Sequence, residues 1–307
     1  MLKTFLVVLA LLLFSSVPAN SREITEGTAA VTAPSGFVSM FINASGTDFR
    51  VSVTGSNLFG ISGFAPCTPF NLCSPGQVVD LSARSGQWVF SDMSGTMTID
   101  GTQFFFASAV NTSLPFLSGR GSLAFSGGSV MIPFGDAPSI TLKAPFTLGG
   151  SLGGSAIGTS GVTLPLTGSG IATLFLRQTI FNGNEFYRLQ GLTYRFGPQV
   201  DVDINRSHIN LRSRGKVPVT ILSTADFDAS AINLDTLTVA GAPVDVRPNG
   251  TFAASLQDID GDGLLDLVVH INIEELQLTD FNTEALVEGF TLDGKFFWGT
   301  AAMEVVE

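Results

Sequence analysis

From about residue 31 to residue 196, no window of the chain sustains apolar residues at helical spacing. They alternate instead with polar residues between short turns rich in Gly, Asn and Asp. Alternation puts every second side chain on one face of an extended strand, so this region is expected to be all-β. Residues 96–99 and 102–107 flank Asp100-Gly101, a dipeptide that supplies the positive φ values of a two-residue hairpin. Residues 171–181 and 185–196 flank Asn182-Gly183-Asn184 as a second, longer hairpin, and 37–43 and 48–54 form a third. The Gly-rich stretch 148–161 keeps returning to Leu148, Leu152 and Ile157, which a flexible linker does not do. It reads as a Gly-rich strand pair or a bulged edge.

Composition supports strands and sets limits on partners. Only 13% of the 307 residues are charged, against roughly 25% in an average protein. Gly numbers 34 and Phe 26, while Trp and Tyr number 2 each. The net charge of −11 argues against nucleic acid or an anionic membrane surface as a partner. That charge is unevenly placed, with −12 from Val200 onward and +1 before it. Such a step marks a domain boundary.

At the N-terminus, Lys3 precedes an apolar run over residues 5–14, and small residues reach Ala19. This is the pattern of a secretory signal peptide, too short for a comfortable membrane span. No second apolar span of membrane length follows, so no membrane span is expected after signal removal. Cys67 and Cys73 are the only cysteines. In an oxidising compartment outside the cytoplasm they are expected to close a Pro-rich loop as a disulfide. A zinc site would need His208 and His270, which are isolated and remote in sequence. The expected organisation is a signal peptide at 1–19, a flexible mature N-terminus at 20–30, a Gly/Phe-rich all-β domain at 31–198 and an acidic β domain at 199–307. Both folded parts are read as β-sandwich-like.

The acidic part carries the sharpest chemical signal, Asp258-Ile259-Asp260-Gly261-Asp262-Gly263-Leu264-Leu265-Asp266. Ca²⁺ takes six to eight oxygens, and a tight loop of alternating carboxylates supplies several of them. Asp258, Asp260, Asp262 and Asp266 are the candidate side-chain ligands, with the Leu264 carbonyl as a fifth. An EF-hand would place an acid at position 12, where this chain has Val269, and its flanks would be helical. Here the flanks, 252–256 and 267–271, read as strands. The loop therefore resembles the calcium hairpin of integrin-type repeats, in a single copy.

Ile209-Asn210-Leu211, the run 214–222, Asp226-Phe227-Asp228 and the Asp loop with its Val268-Val269-His270-Ile271 continuation together resemble a recurrent acidic module of secreted bacterial proteins. Glu284, Gly289, Asp293-Gly294 and Gly299 continue the likeness, which covers about a third of the chain. The resemblance implies an exported β module with a calcium loop and no catalytic activity.

No nucleophile elbow, HExxH zinc motif or phosphate-cradling loop is present. His270 on an apolar strand is read as packed, and Glu274, Glu275, Glu284 and Glu288 as surface charges rather than a glycosidase pair. The expectation is a secreted, non-enzymatic, calcium-binding β-protein with a structural or adhesive role, meeting a protein or an extracellular polymer. The rival is a carbohydrate-binding or carbohydrate-active protein with its cleft in the N-terminal domain. The scarcity of Trp and Tyr, the usual sugar platforms, argues against it.

Overall fold

A computed structural model describes residues 23–32, 39–46, 49–62, 67, 72–80, 85–99, 102–106, 116–126, 129–134, 137–155, 162–204, 208–279 and 282–306. The signal-peptide segment 1–19 and the Asp100-Gly101 turn lie outside the described residues.

The first half supplies β1 (Gly27–Thr32), β2 (Ser39–Gly46), β3 (Phe49–Ser62), β4 (Leu72–Cys73), β5 (Val78–Asp80) and β6 (Ser85–Ile99). It continues with β7 (Thr102–Phe106), β8 (Phe116–Phe125), β9 (Ser129–Met131), β10 (Ser139–Ser155), β11 (Val162–Phe181) and β12 (Asn184–Phe196). The protein is all-β, as the alternation predicts. The hairpins stand where their turns place them, and the Gly-rich stretch does form a strand pair, β10 with β11.

Strands β1, β2, β3, β6, β8, β10, β11 and β12 lie side by side, each antiparallel to the next. β1 also pairs with β12, from Gly27↔Phe196 to Thr32↔Gly191. The two layers of this half are therefore one sheet closed into an eight-stranded ring, which removes both long edges. Within the segment 20–30 expected to be flexible, residues 23–30 are held in place by this closure. Ile24 is fully buried, its amide donates to the Pro165 carbonyl at 2.8 Å, and β1 is the strand that shuts the ring.

Period-two alternation fills the ring. Along β10, Leu142, Ala144 and Phe146 point inward and are buried, while Thr141, Lys143 and Thr147 point out. Phe146, Tyr194 and Phe125 meet inside, with ring centroids 5.2 and 6.4 Å apart. Each such buried aromatic contributes about 1.5–3 kcal/mol through burial. On β11 the inward Gly168 and Gly170 face Phe196 and β12, where an added Cβ on Gly170 would fall 1.9 Å from the Arg195 carbonyl oxygen. The β11–β12 turn is Asn182-Gly183, both at positive φ, a two-residue connection tighter than the three residues expected. Val79 of the small β5–β9 sheet and the Cys67–Cys73 disulfide pack into the same core as the ring. Both cysteines are buried.

The acidic half supplies β13 (Val202–Ile204), β14 (His208–Asn210), β15 (Lys216–Ile221), β16 (Ile232–Val239) and β17 (Ala242–Pro243). After these come β18 (Ala254–Gln257), β19 (Asp266–Asn272), β20 (Glu284–Thr291), β21 (Phe296–Ala302) and β22 (Glu304–Val306). Two four-stranded sheets, β13-β15-β19-β18 and β17-β16-β20-β21, share one core. Val217, Val219 and Ile221 face Leu267, Val269 and Ile271 on neighbouring strands of the first. Phe297 of the second meets Phe227 at 5.2 Å. A parallel pair, β14 with β22, closes one side.

The halves dock through a third, small cluster. Ile171 points outward from β11, against the inward phase of Ala172 and Leu174, yet it is buried against Phe296 and Trp298 of β21. Arg195 lies 5.7 Å over the Phe290 ring, and Lys143 pairs with Glu288. Residues 197–200 run alongside β21, with the Val200 amide donating to the Trp298 carbonyl at 2.8 Å.

Candidate metal centre

The acidic loop, residues 258–265, joins β18 to β19, which are antiparallel with Gln257 opposite Asp266. It is a strand-to-strand hairpin rather than a helix-loop-helix. Its shape follows from its own side chains. Asp258 accepts the amides of Gly261 at 2.8 Å and Gly263 at 3.1 Å, while Asp260 accepts that of Asp262 and Asp262 that of Leu264. Short carboxylates bonding the backbone two or more residues on are what make Asp a turn former. Gly261 and Gly263 lie at φ +82° and +90°, where other residues are strained.

This folding brings Asp258, Asp260 and Asp262 together. One oxygen from each lies within 4.8 Å of the others, and all three residues are exposed. Oxygens on opposite sides of one Ca²⁺ stand about 4.6–5.2 Å apart, so a single ion can touch all three. The cluster can hold a metal ion. Ile259, Leu264 and Leu265 of the same loop are also exposed.

Asp266, expected as the closing ligand, stands apart from the three. It is completely buried. One of its oxygens accepts the Ser223 amide and the other the Ile259 amide, each at 2.8 Å. A buried carboxylate needs compensating donors, and these two amides supply them. Ser223 extends the brace, donating its hydroxyl to the Leu265 carbonyl at 2.7 Å and accepting the Ala229 amide at 2.9 Å. Asp266 is thus placed to position the loop, a correction to its reading as one more ligand. The sequence pattern missed Ser223, because nothing in a pattern local to the loop points to a serine 43 residues away.

The other singled-out residues keep apart. His270 is half-buried, with Nδ1 3.4 Å from the Ala253 carbonyl oxygen. His208 pairs with Glu304 at 3.0 Å on the surface. Glu274 and Glu275 sit in a single turn, 273–275, after β19. Among the described residues no helix is long and apolar enough to cross a membrane. No family model, no curated protein and no solved structure matches the chain.

Proposed function

We propose that this chain is an exported, non-enzymatic β-protein with a structural or adhesive role, and that its acidic hairpin binds one Ca²⁺ as a staple. The observation that carries the reading is the convergence of Asp258, Asp260 and Asp262 on one point at the hairpin tip. Three unscreened carboxylates so close together repel one another, and a divalent cation removes that repulsion. The Leu264 carbonyl and water complete the shell, while Asp266 holds the loop in shape from behind. The signal-like N-terminus, the buried disulfide and the likeness to an acidic module of secreted proteins support export.

Extracellular calcium sites bind at about 10⁻⁴–10⁻³ M. At ~1 mM calcium and a Kd of ~0.1 mM, binding stabilises the fold by about 1.4 kcal/mol. The test is thermal unfolding in millimolar calcium and in chelator. The melting temperature rises with calcium in the wild type and not in Asp260→Ala. An equal midpoint in both conditions for the wild type overturns the metal assignment.

A further inference from the structure

Where the second sheet of the acidic sandwich leans on the ring, the contact changes character along one row of side chains. Trp298, Glu288 and Thr238 are neighbours across β21, β20 and β16. At the Trp298 end the interface is apolar and buried. At the Thr238 end it opens into a cleft of about 580 Å³ between the two halves. That size lies within the range of small-molecule sites, which favour domain boundaries.

Polar groups from both halves converge on this space. Lys143 and Thr141 come from the outer face of β10, Glu288 and Glu284 from β20, and Gln277 from the segment before β20. The Lys143–Glu288 pair bridges the halves, and the Glu288 side chain is only 9% exposed. Burying an ion pair at a domain contact stabilises less than apolar packing of the same volume. Its presence beside a cleft marks a polar handle rather than a fastener. Gln277 lies over Gly241, at φ +80°, where an added Cβ would stand 2.6 Å from its amide carbon. Gly241 thus leaves room for the amide at the cleft wall. Between the polar groups lie the aliphatic side chains of Leu278, Leu286 and Met131.

We propose that this interdomain cleft binds a neutral, hydroxyl-rich ligand, a mono- or disaccharide. Two carboxylates against one ammonium, on a chain of net charge −11, repel an anion. Apolar residues interrupted by hydroxyls and amides give a lipid no continuous wall. A pyranose carries what the cleft can use, namely vicinal hydroxyls that both donate and accept, and C–H faces for the aliphatic residues. Lys143 and Glu288 grip such a hydroxyl pair, one donating and the other accepting.

The experiment is titration of the intact protein with glucose, galactose, N-acetylglucosamine, maltose, cellobiose and chitobiose. Calorimetry and tryptophan emission are followed up to about 20 mM, enough to saturate a millimolar site. Trp298, across from Glu288, reports occupancy. At least one sugar binds saturably in chelator as well as in calcium, and Glu288→Gln weakens it about tenfold or more. Thr141→Arg, at an exposed position on the cleft wall, fills the space and abolishes binding while leaving the melting temperature unchanged. It decides the matter even where Glu288→Gln fails to fold. No binding by any of the six sugars overturns the proposal, as does wild-type affinity in Thr141→Arg or tighter binding of glucuronate than of glucose.

Discussion

The Asp266 carboxylate accepts the Ser223 amide at 2.8 Å, and this bond fastens the acidic hairpin to the end of the neighbouring strand β15. Removing it leaves the Ser223 and Ile259 amides without their acceptor. Asp266→Ala is expected to lower stability by about 2–4 kcal/mol, in calcium or in chelator alike. Asp260→Ala, at an exposed position, is expected to change stability in chelator by less than about 0.5 kcal/mol. Urea unfolding of both variants separates the brace from the ligand.

The acid limb of stability has an identifiable contributor. Hydrogen bonding from Lys216 holds the Asp245 carboxyl below the usual aspartate range, with Asn272 helping and desolvation opposing. A carboxyl depressed in the folded state stabilises it fully above the unfolded pKa of about 3.9. That contribution is lost as pH falls from there through the depressed value. Asp245→Asn should therefore flatten the fall in melting temperature below about pH 4. An acid limb identical to wild type would count against it.

Tyr194 presents the opposite case. Its hydroxyl is buried in the ring with no hydrogen-bond partner among the described residues, and burial drives its pKa upward. Tyr194→Phe removes an unpaired polar atom and keeps the ring, so stability should hold or rise by up to about 1 kcal/mol. Absorbance titration should show Tyr194 still protonated when an ordinary tyrosine near pKa 10 has ionised. Above that pH the unfolded chain releases a proton the folded chain retains, so this residue's contribution to stability declines.

Close backbone approach at the junction makes two glycines indispensable. A Cβ on Gly299 would sit 2.5 Å from the Val200 carbonyl oxygen, and one on Gly197 would sit 2.5 Å from that of Phe296. Gly299→Ala and Gly197→Ala should each cost about 1–3 kcal/mol through forced displacement. Limited proteolysis should then cut faster within residues 197–201.

The disulfide closes a short loop, its cysteines six positions apart in sequence. The chain-entropy relation gives about 2 kcal/mol for a loop of this size. Reductant, or the double Cys67→Ala, Cys73→Ala variant, should lower the melting temperature accordingly.

Local pattern carried much of the fold. The strands on either side of Asn182-Gly183 were legible as a hairpin, and that dipeptide marked its turn. Ile171 was hidden, because being out of phase is visible but what covers it is not. β1 was hidden for a related reason. Gly27–Thr32 has weak alternation of its own and is a strand because two partners await it. In the loop, the three clustered aspartates were legible because their contacts are local. The bonds that bury Asp266 and the cleft between the halves were not, since both depend on chain segments tens of residues apart.

The ring closes only when Gly27 meets Phe196. A ribosome delivers β1 first and β12 last of the ring strands, so the opening strand waits for its second neighbour until residues 191–196 are made. Until then both rims of the growing sheet offer unpaired amides and carbonyls, the template for wrong pairing with another copy. Contacts this distant in sequence also make for slow folding. The step that finishes the ring is the one the ring must perform latest, and a chain cut short before residue 191 would carry a permanently open seam.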